Sequence, residues 1–421
     1  GFPFLILYLA LALCCGVIIM LGELALGRKT GHGAVGAYQS ISKRFKWLGW
    51  LGIAAAALIF SFYSALGGYC LRYVVVNFGN LIGAEFGTNG VGGADVFQGL
   101  LSQPDVSIAF ALAFMLITML VVMSGVGGGI ERVCSVGMPA LFFILIICII
   151  RSCTLPGAAD GLKYMFVPGW AVANGIIDEA PGFWRVLTAA GGQMFFSLSL
   201  GAGVMITYGS YLDKKQDLGK STMIIVGMDT VVALMAGLCV IPGRFALDPN
   251  GALGGPELLF ITMQNVFDKM GPAGPVFGIL FYLLVFFAAI SSSISMLEVI
   301  VAHFCDKARE KGKGDRRKLY SAIVVVICAA LCALVCADGM GNNHISPAEL
   351  LGLAGAKLPG WSTSWLGLFD SVAEGLLMPL GALLMCLMIS WELKPDTLRQ
   401  EILLNGENRP WVYDFFRLCV K

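Results

Sequence analysis

Long apolar runs separated by short polar stretches dominate the chain. Crossing the hydrocarbon core of a bilayer takes roughly 20 apolar residues in a helix. Nine runs meet that length, at 4–26, 49–78, 106–124, 136–152, 187–211, 221–242, 275–304, 319–338 and 365–391. Residues 410–421, PWVYDFFRLCVK, read as the start of a tenth. The pattern predicts an all-α polytopic membrane protein. One run departs from it. FFSLSLGAGVMIT, residues 195–207, puts Ser197, Ser199, Gly201 and Gly203 at mid-span. Backbone groups in hydrocarbon must find partners within the protein, so a run that weakens the helix there needs a reason.

Composition agrees with this class. The chain is 57% hydrophobic and 13% charged, where soluble domains carry about 25% charged residues. The net charge of +1 supplies no field for nucleic acid. Of the 28 Lys and Arg, 19 fall in the loops after the first, third, fifth, seventh and ninth runs, and 5 in the alternate loops. By the positive-inside rule the first set is cytoplasmic, and Gly1 starts at the outer face of a cell membrane. The chain begins within an apolar run with no charged n-region, which excludes a signal peptide and predicts a piece of a longer protein. His32, His303 and His344 are scattered and predict no metal cluster. Most of the 13 cysteines lie in apolar runs; Cys328, Cys332 and Cys336 share one helix face as small packing residues. Gly31–Gly36, GHGAVG, matches GxGxxG, but it follows a spanning run and not a strand, so it reads as a cytoplasmic turn and not a nucleotide site.

Charge within a span is costly and marks function by default. Glu23 is the only charge of the first run and Asp229 the only one of the sixth. Ser291, Ser292, Ser293 and Ser295 sit in the middle of the seventh run, which Asp306 closes; Asp370 opens the ninth. Taken singly, these residues have plain structural readings. Serines bond back to their own helix, a buried glutamate accepts from a neighbour, and interfacial carboxylates are solvated. Their combination is more specific. Hydroxyls, freed carbonyls and a carboxylate suit a small hard cation. Amides at a resumed half-helix suit an anion. Together they suit a zwitterion bound with a cation.

Five stretches resemble the neurotransmitter:sodium symporter family, particularly its bacterial amino-acid members. They are LGELALGRKTGHGAVGAY (21–38), RSCTLPGAADGLKYMFVP (151–168), GGQMFFSLSLGAGVMITYGSYL (191–212), MDTVVALMAGL (228–238) and FFAAISSSISMLEVIVAHFCD (286–306). The resemblance implies a leucine-transporter-like inverted-repeat bundle, a fold used as a standard example of broken helices. The nine runs would be family helices 2–10 of one transmembrane domain, 1–421. Residues 1–153 would hold the remainder of the first repeat and 187–391 the second, with helix 1 and most of helix 11 onward outside the chain.

The resemblance also implies site roles. The Ala288 carbonyl with Ser291 and Ser292 would form one sodium site, and Ser197 with Asp229 another. Ile59, Tyr63, Phe196, Ser199, Gly201, Ala202, Ser292, Ser293 and Met296 would line a substrate pocket. Tyr63 would bond the substrate carboxylate and Phe196 would cover it. Glu23 would buffer the break, Asp370 would be the outer-gate acid, and Tyr211 and Asp306 would belong to the inner gate. Ala202 is small where the family often has a larger side chain, which leaves room for a bulky ligand. Many animal members require chloride; where they have Asn and, four residues on, Ser, this chain has Asp229 and Ala233. The expected function is sodium-coupled import of neutral, hydrophobic or aromatic amino acids, independent of chloride, with Na⁺ as the co-transported ion. The expected partners are the lipid bilayer and a small amino acid, with no nucleic acid and no nucleotide; the sequence leaves oligomeric state open. The alternatives are another small-molecule carrier of this fold, a channel, and an intramembrane serine hydrolase. For a hydrolase, His303 lies ten residues from Ser293, about 15 Å along a helix and too far to act as its base.

Overall fold

The computed structural model describes residues 1–88, 90–250, 254–314, 316–353, 360–393, 398–403 and 410–420. The principal helices are α1 (Phe2–Thr30), α2 (Lys46–Ile82), α3 (Pro104–Met123), α4 (Val126–Cys153), α5 (Phe183–Ser197), α6 (Val204–Gly209), α7 (Leu218–Leu247), α8 (Gly274–Glu310), α9 (Arg317–Asp338), α10 (Trp365–Trp391) and α11 (Pro410–Val420). Among the described residues eight helices are long and apolar enough to cross a membrane. The fifth of the nine expected spans, 187–211, is the exception, because it is split into α5 and α6. Of the expected tenth run, Lys421 lies outside the described residues.

Two expectations from sequence need correction. Helix α4 begins at Val126, ten residues before the apolar run suggested, because its first turn is a π-type turn of glycines, Val126–Ile130, that hydropathy does not register. The GHGAVG stretch is only half a turn: Gly31 ends α1 with φ 66°, and a short helix, Ala34–Ile41, starts inside the motif.

The bundle is built around α2 and α8, the two longest helices at 37 residues each. Their facing side chains join those of α3, α9 and the α5–α6 break in one apolar cluster that includes Ile59, Phe60, Phe114, Ile294 and Cys332. Cys328, Cys332 and Cys336 are buried in it as small packing residues. A second cluster joins α1, α5 and α7 through Tyr8, Met20, Met194 and Val226.

Helix α6 lies unusually close to α1. A Cβ on Gly27 would stand 2.0 Å from the Ile206 carbonyl oxygen, and one on Gly209 would stand 2.6 Å from the Leu24 oxygen. Small residues on both faces let the backbones meet, and this is how helices hold together where lipid removes the hydrophobic drive for association.

Candidate functional site

The centre of the site is the interruption between α5 and α6. Leu198–Gly203 form turns, with Ser199, Gly201 and Gly203 at φ 52°, 79° and 74°. Three left-handed residues within five positions end any continuous helix. The released backbone is satisfied from neighbouring groups. Ser199 N–H donates to the Phe196 carbonyl at 3.0 Å and Leu200 N–H to Phe195 at 3.0 Å. Gly201 N–H donates across to the Glu23 carboxylate of α1 at 2.7 Å. Glu23 is fully buried, so its expected place beside the break is where the chain puts it. Helix α10 abuts the same turn at Met378, just after a π-type turn of its own, Ala373–Leu377. Pro379 follows, and its missing N–H and bulky ring rule out a regular ladder there.

Ser197, the last residue of α5, donates to both Asp229 oxygens, at 2.8 and 3.0 Å, so those two expected residues meet. Tyr8 of α1 completes the group, its hydroxyl 3.0 Å from Asp229 Oδ2. Sequence reading missed Tyr8. It sits in an apolar run as an ordinary aromatic residue, and only the crossing of α1 over α7 gives it a role.

On α8 the Ser291 hydroxyl lies 2.8 Å from the Ala288 carbonyl oxygen, which places two hard oxygens side by side. Ser292 is exposed on the same stretch, and Tyr63 of α2 interacts with it. Ser293 turns elsewhere: it is fully buried, with its hydroxyl 2.9 Å from Thr118 of α3. The rings of Tyr63 and Phe196 meet edge to face with centroids 6.4 Å apart. Ile59, Ala202 and Met296 belong to the apolar cluster against which both rings pack. The hard oxygens thus fall in two groups, Ser197 with Asp229 between α5 and α7 and Ser291 with the Ala288 carbonyl on α8, while Tyr63 and Phe196 pack on the cluster of Ile59, Ala202 and Met296. Among the described residues no group of His, Cys, Asp and Glu is arranged to hold a resident metal.

Toward the end that the charge asymmetry places in the cytoplasm, Asp306 accepts from Gly33 N–H at 2.9 Å, with His32 Nδ1 at 4.0 Å and Arg309 at 3.8 Å. Tyr211 bonds to a different acid. Its hydroxyl donates to Glu298 of α8 at 2.6 Å, and Arg317 of α9 grips the same carboxylate with two N–H groups at 2.5 and 3.0 Å. Glu298 is fully buried within a span, a signal the sequence does carry, hidden next to the serine run. Arg28 joins this end of α1 to the loop after α6 and to the short helix Arg399–Ile402. Its Nε lies 2.9 Å from Glu401 Oε2, and its other nitrogens donate to the carbonyls of Gln216 and Glu401. At the opposite end Asp370 and Glu374 sit one turn apart on α10, both half-buried.

The model of the Sodium:neurotransmitter symporter family matches residues 1–89 and 94–421. The chain belongs to this family. An uncharacterized sodium-dependent transporter of Bacillus subtilis, YhdH, is 35% identical over 99% of the chain and 86% of its own length. An uncharacterized sodium-dependent transporter of Methanocaldococcus jannaschii is 28% identical over 96% and 77%. Among solved structures, MhsT in complex with L-phenylalanine matches with a TM-score of 0.83 at 32% identity, covering the whole of this chain and 88% of MhsT. The symporter is thus a multi-pass membrane protein of the leucine-transporter type and a carrier, not an enzyme. A family of sodium symporters makes Na⁺ a cargo, and the oxygens around the break are of the hard type that suits it.

Proposed function

We propose that the protein imports neutral amino acids with apolar or aromatic side chains, coupled to sodium entry, by alternating access and without chloride. The observations that support this reading are the Ser197–Asp229 contact at the break, the Ser291 hydroxyl beside the Ala288 carbonyl on α8, and the packing of Tyr63 and Phe196 with Ile59 and Ala202. The phenylalanine bound to MhsT supports an aromatic substrate. Ala202 leaves space for a ring. Sodium stabilises the substrate-ready state, and the inward gradient then drives uptake, because a ligand shifts a conformational equilibrium only by its differential affinity. Against the hydrolase, His303 packs edge to face on Trp50 at 5.0 Å and Ser293 bonds to Thr118, so the serine has no base beside it.

Uptake of radiolabelled amino acids into proteoliposomes under a sodium gradient tests the reading. Replacing Ser291 and Ser292 together with Ala removes two hydroxyl ligands and almost no volume. The sodium concentration for half-maximal uptake is expected to rise at least tenfold. An unchanged sodium dependence in folded protein sinks the assignment of those serines.

The chloride reading rests on Asp229. A carboxylate in the membrane is the fixed counter-charge to Na⁺, so exchanging chloride for gluconate is expected to leave uptake within twofold. Asp229→Asn with Ala233→Ser is expected to make uptake depend on chloride. Collapse of the unaltered protein's uptake in gluconate overturns the role given to Asp229.

A further inference from the structure

A cavity of about 250 Å³ opens at the end of α2 opposite Lys46, on the face that the charge asymmetry places outside. It lies between α2, the helix Gly93–Leu101 and the start of α3. At ~30 Å³ per water molecule this is room for about eight waters, or one small ligand. The α2 wall presents Arg72 and Tyr73, and the short helix presents Asp95. Arg72 is nine residues beyond Tyr63, which is about 14 Å along the helix and half a revolution around it. The cavity is therefore separate from the central site.

Three observations point to a ligand. The half-buried Arg72 guanidinium stands 5.8 Å from the centroid of the Phe110 ring, and it makes no hydrogen bond or ion pair among the described residues. Tyr73 is fully buried between Phe260 and Tyr282, yet its hydroxyl has no partner among the described residues. A buried hydroxyl without a partner carries a desolvation cost that a bound acceptor removes. Asp95 is exposed at the mouth, and no ion pair joins it to Arg72. The remaining wall is mixed, with Val76, Val96 and Leu100 on it beside Thr88 and Gln103.

We propose that this cavity is a second, peripheral site for a small zwitterion with an apolar side chain, an α-amino acid. Its carboxylate lies on Arg72, its ammonium on Asp95 and its side chain against the valines and Leu100. Guanidinium with carboxylate is a strong, directional pair. Two unpaired opposite charges in one cavity select a ligand that carries both. A lone anion would leave Asp95 as a repelling group. The one carboxylate in the lining, Asp95, is taken by the ligand's ammonium, so binding needs no sodium. The inference rests on the cavity's own groups, and uptake measured in parallel reports the central site separately.

The test is equilibrium binding of radiolabelled L-leucine, L-valine and L-phenylalanine to the purified full-length transporter in sodium-free choline buffer. Saturable binding is expected for at least one of them. Arg72→Gln and Asp95→Asn are each expected to weaken it at least tenfold, with the KM of sodium-driven uptake within twofold of the unaltered protein. Leucinamide and 4-methylpentanoate, which each lack one charge of leucine, are expected to compete at least tenfold more weakly than L-leucine. No saturable sodium-free binding means a cavity filled with water only and overturns the proposal. Binding that persists in both variants, or that 4-methylpentanoate displaces as well as L-leucine does, overturns it equally.

Discussion

Gly201→Ala is expected to abolish sodium-driven uptake in a protein that still inserts and folds. The added methyl group would stand 2.0 Å from the Met378 carbonyl oxygen of α10, and real Cβ atoms do not approach backbone that closely. Gly201 also has φ 79°, which costs an L residue roughly 1–2 kcal/mol. The turn therefore has to move off α10, and the N–H that Glu23 accepts at 2.7 Å moves with it. The lost bond would leave a buried carboxylate with one partner fewer, a further penalty of about 1–3 kcal/mol. All of this strain falls on the few residues that hold Ser197 and Ser199 at the break, Ser197 against Asp229. Positioning errors of about 1 Å are enough to cost a site most of its function. Gly227 is the matched control. It is helical in α7 with open space where a Cβ would go, so Gly227→Ala is expected to retain uptake and gain about 0.5–1 kcal/mol of helix stability. Uptake by Gly201→Ala at near the unaltered rate would show that the break tolerates a continuous side-chain surface.

Hydropathy located the spans because each run must cover the same hydrocarbon thickness whatever its neighbours do. It also located the break, since Ser197, Ser199, Gly201 and Gly203 interrupt the one apolar run that fails to form a single helix. Pairings across helices were less legible. Tyr8 and Asp229 are 221 positions apart, and nothing in either local pattern announces that α1 and α7 cross at that height. Tyr211 and Asp306, both expected at the inner gate, take partners that the sequence did not announce: Tyr211 bonds to Glu298, and Asp306 accepts from Gly33. Ser293 shows the limit of reading by type. Three consecutive serines look alike in sequence, but a helix turns each by 100°, so Ser292 is exposed while Ser293 is buried against Thr118. Periodicity was available for that distinction; knowing which face met α3 was not.

Breaking the Glu298–Arg317 pair is expected to destabilise the protein, and more from one side than from the other. Glu298 has a side chain 1% exposed and that of Arg317 is 16% exposed. Among the described residues, removing Arg317 leaves a carboxylate deep in α8 with the Tyr211 hydroxyl at 2.6 Å as its remaining partner. Loss of one partner from a buried pair costs about 3–5 kcal/mol, because the other charge remains desolvated. Arg317→Ala should therefore fall in that range. Removing Glu298 leaves a cation at the first turn of α9, next to the interface, where a long side chain extends to water. Glu298→Ala should cost less, nearer the price of the lost packing and hydrogen bonds. Glu298→Gln with Arg317→Gln removes both charges and keeps a hydrogen-bonding group at each place, so it should recover much of the loss from Arg317→Ala. The transport effect has the reverse order. Glu298 holds Tyr211 just beyond the cytoplasmic end of α6, so Glu298→Ala frees the segment that follows the broken helix and should lower uptake even where stability is nearly intact. Thermal unfolding in detergent, read beside uptake in proteoliposomes, separates the two effects. Equal destabilisation by Arg317→Ala and Glu298→Ala would mean that both charges reach solvent, and the buried pair would then have no part in holding the cytoplasmic end of α6 closed.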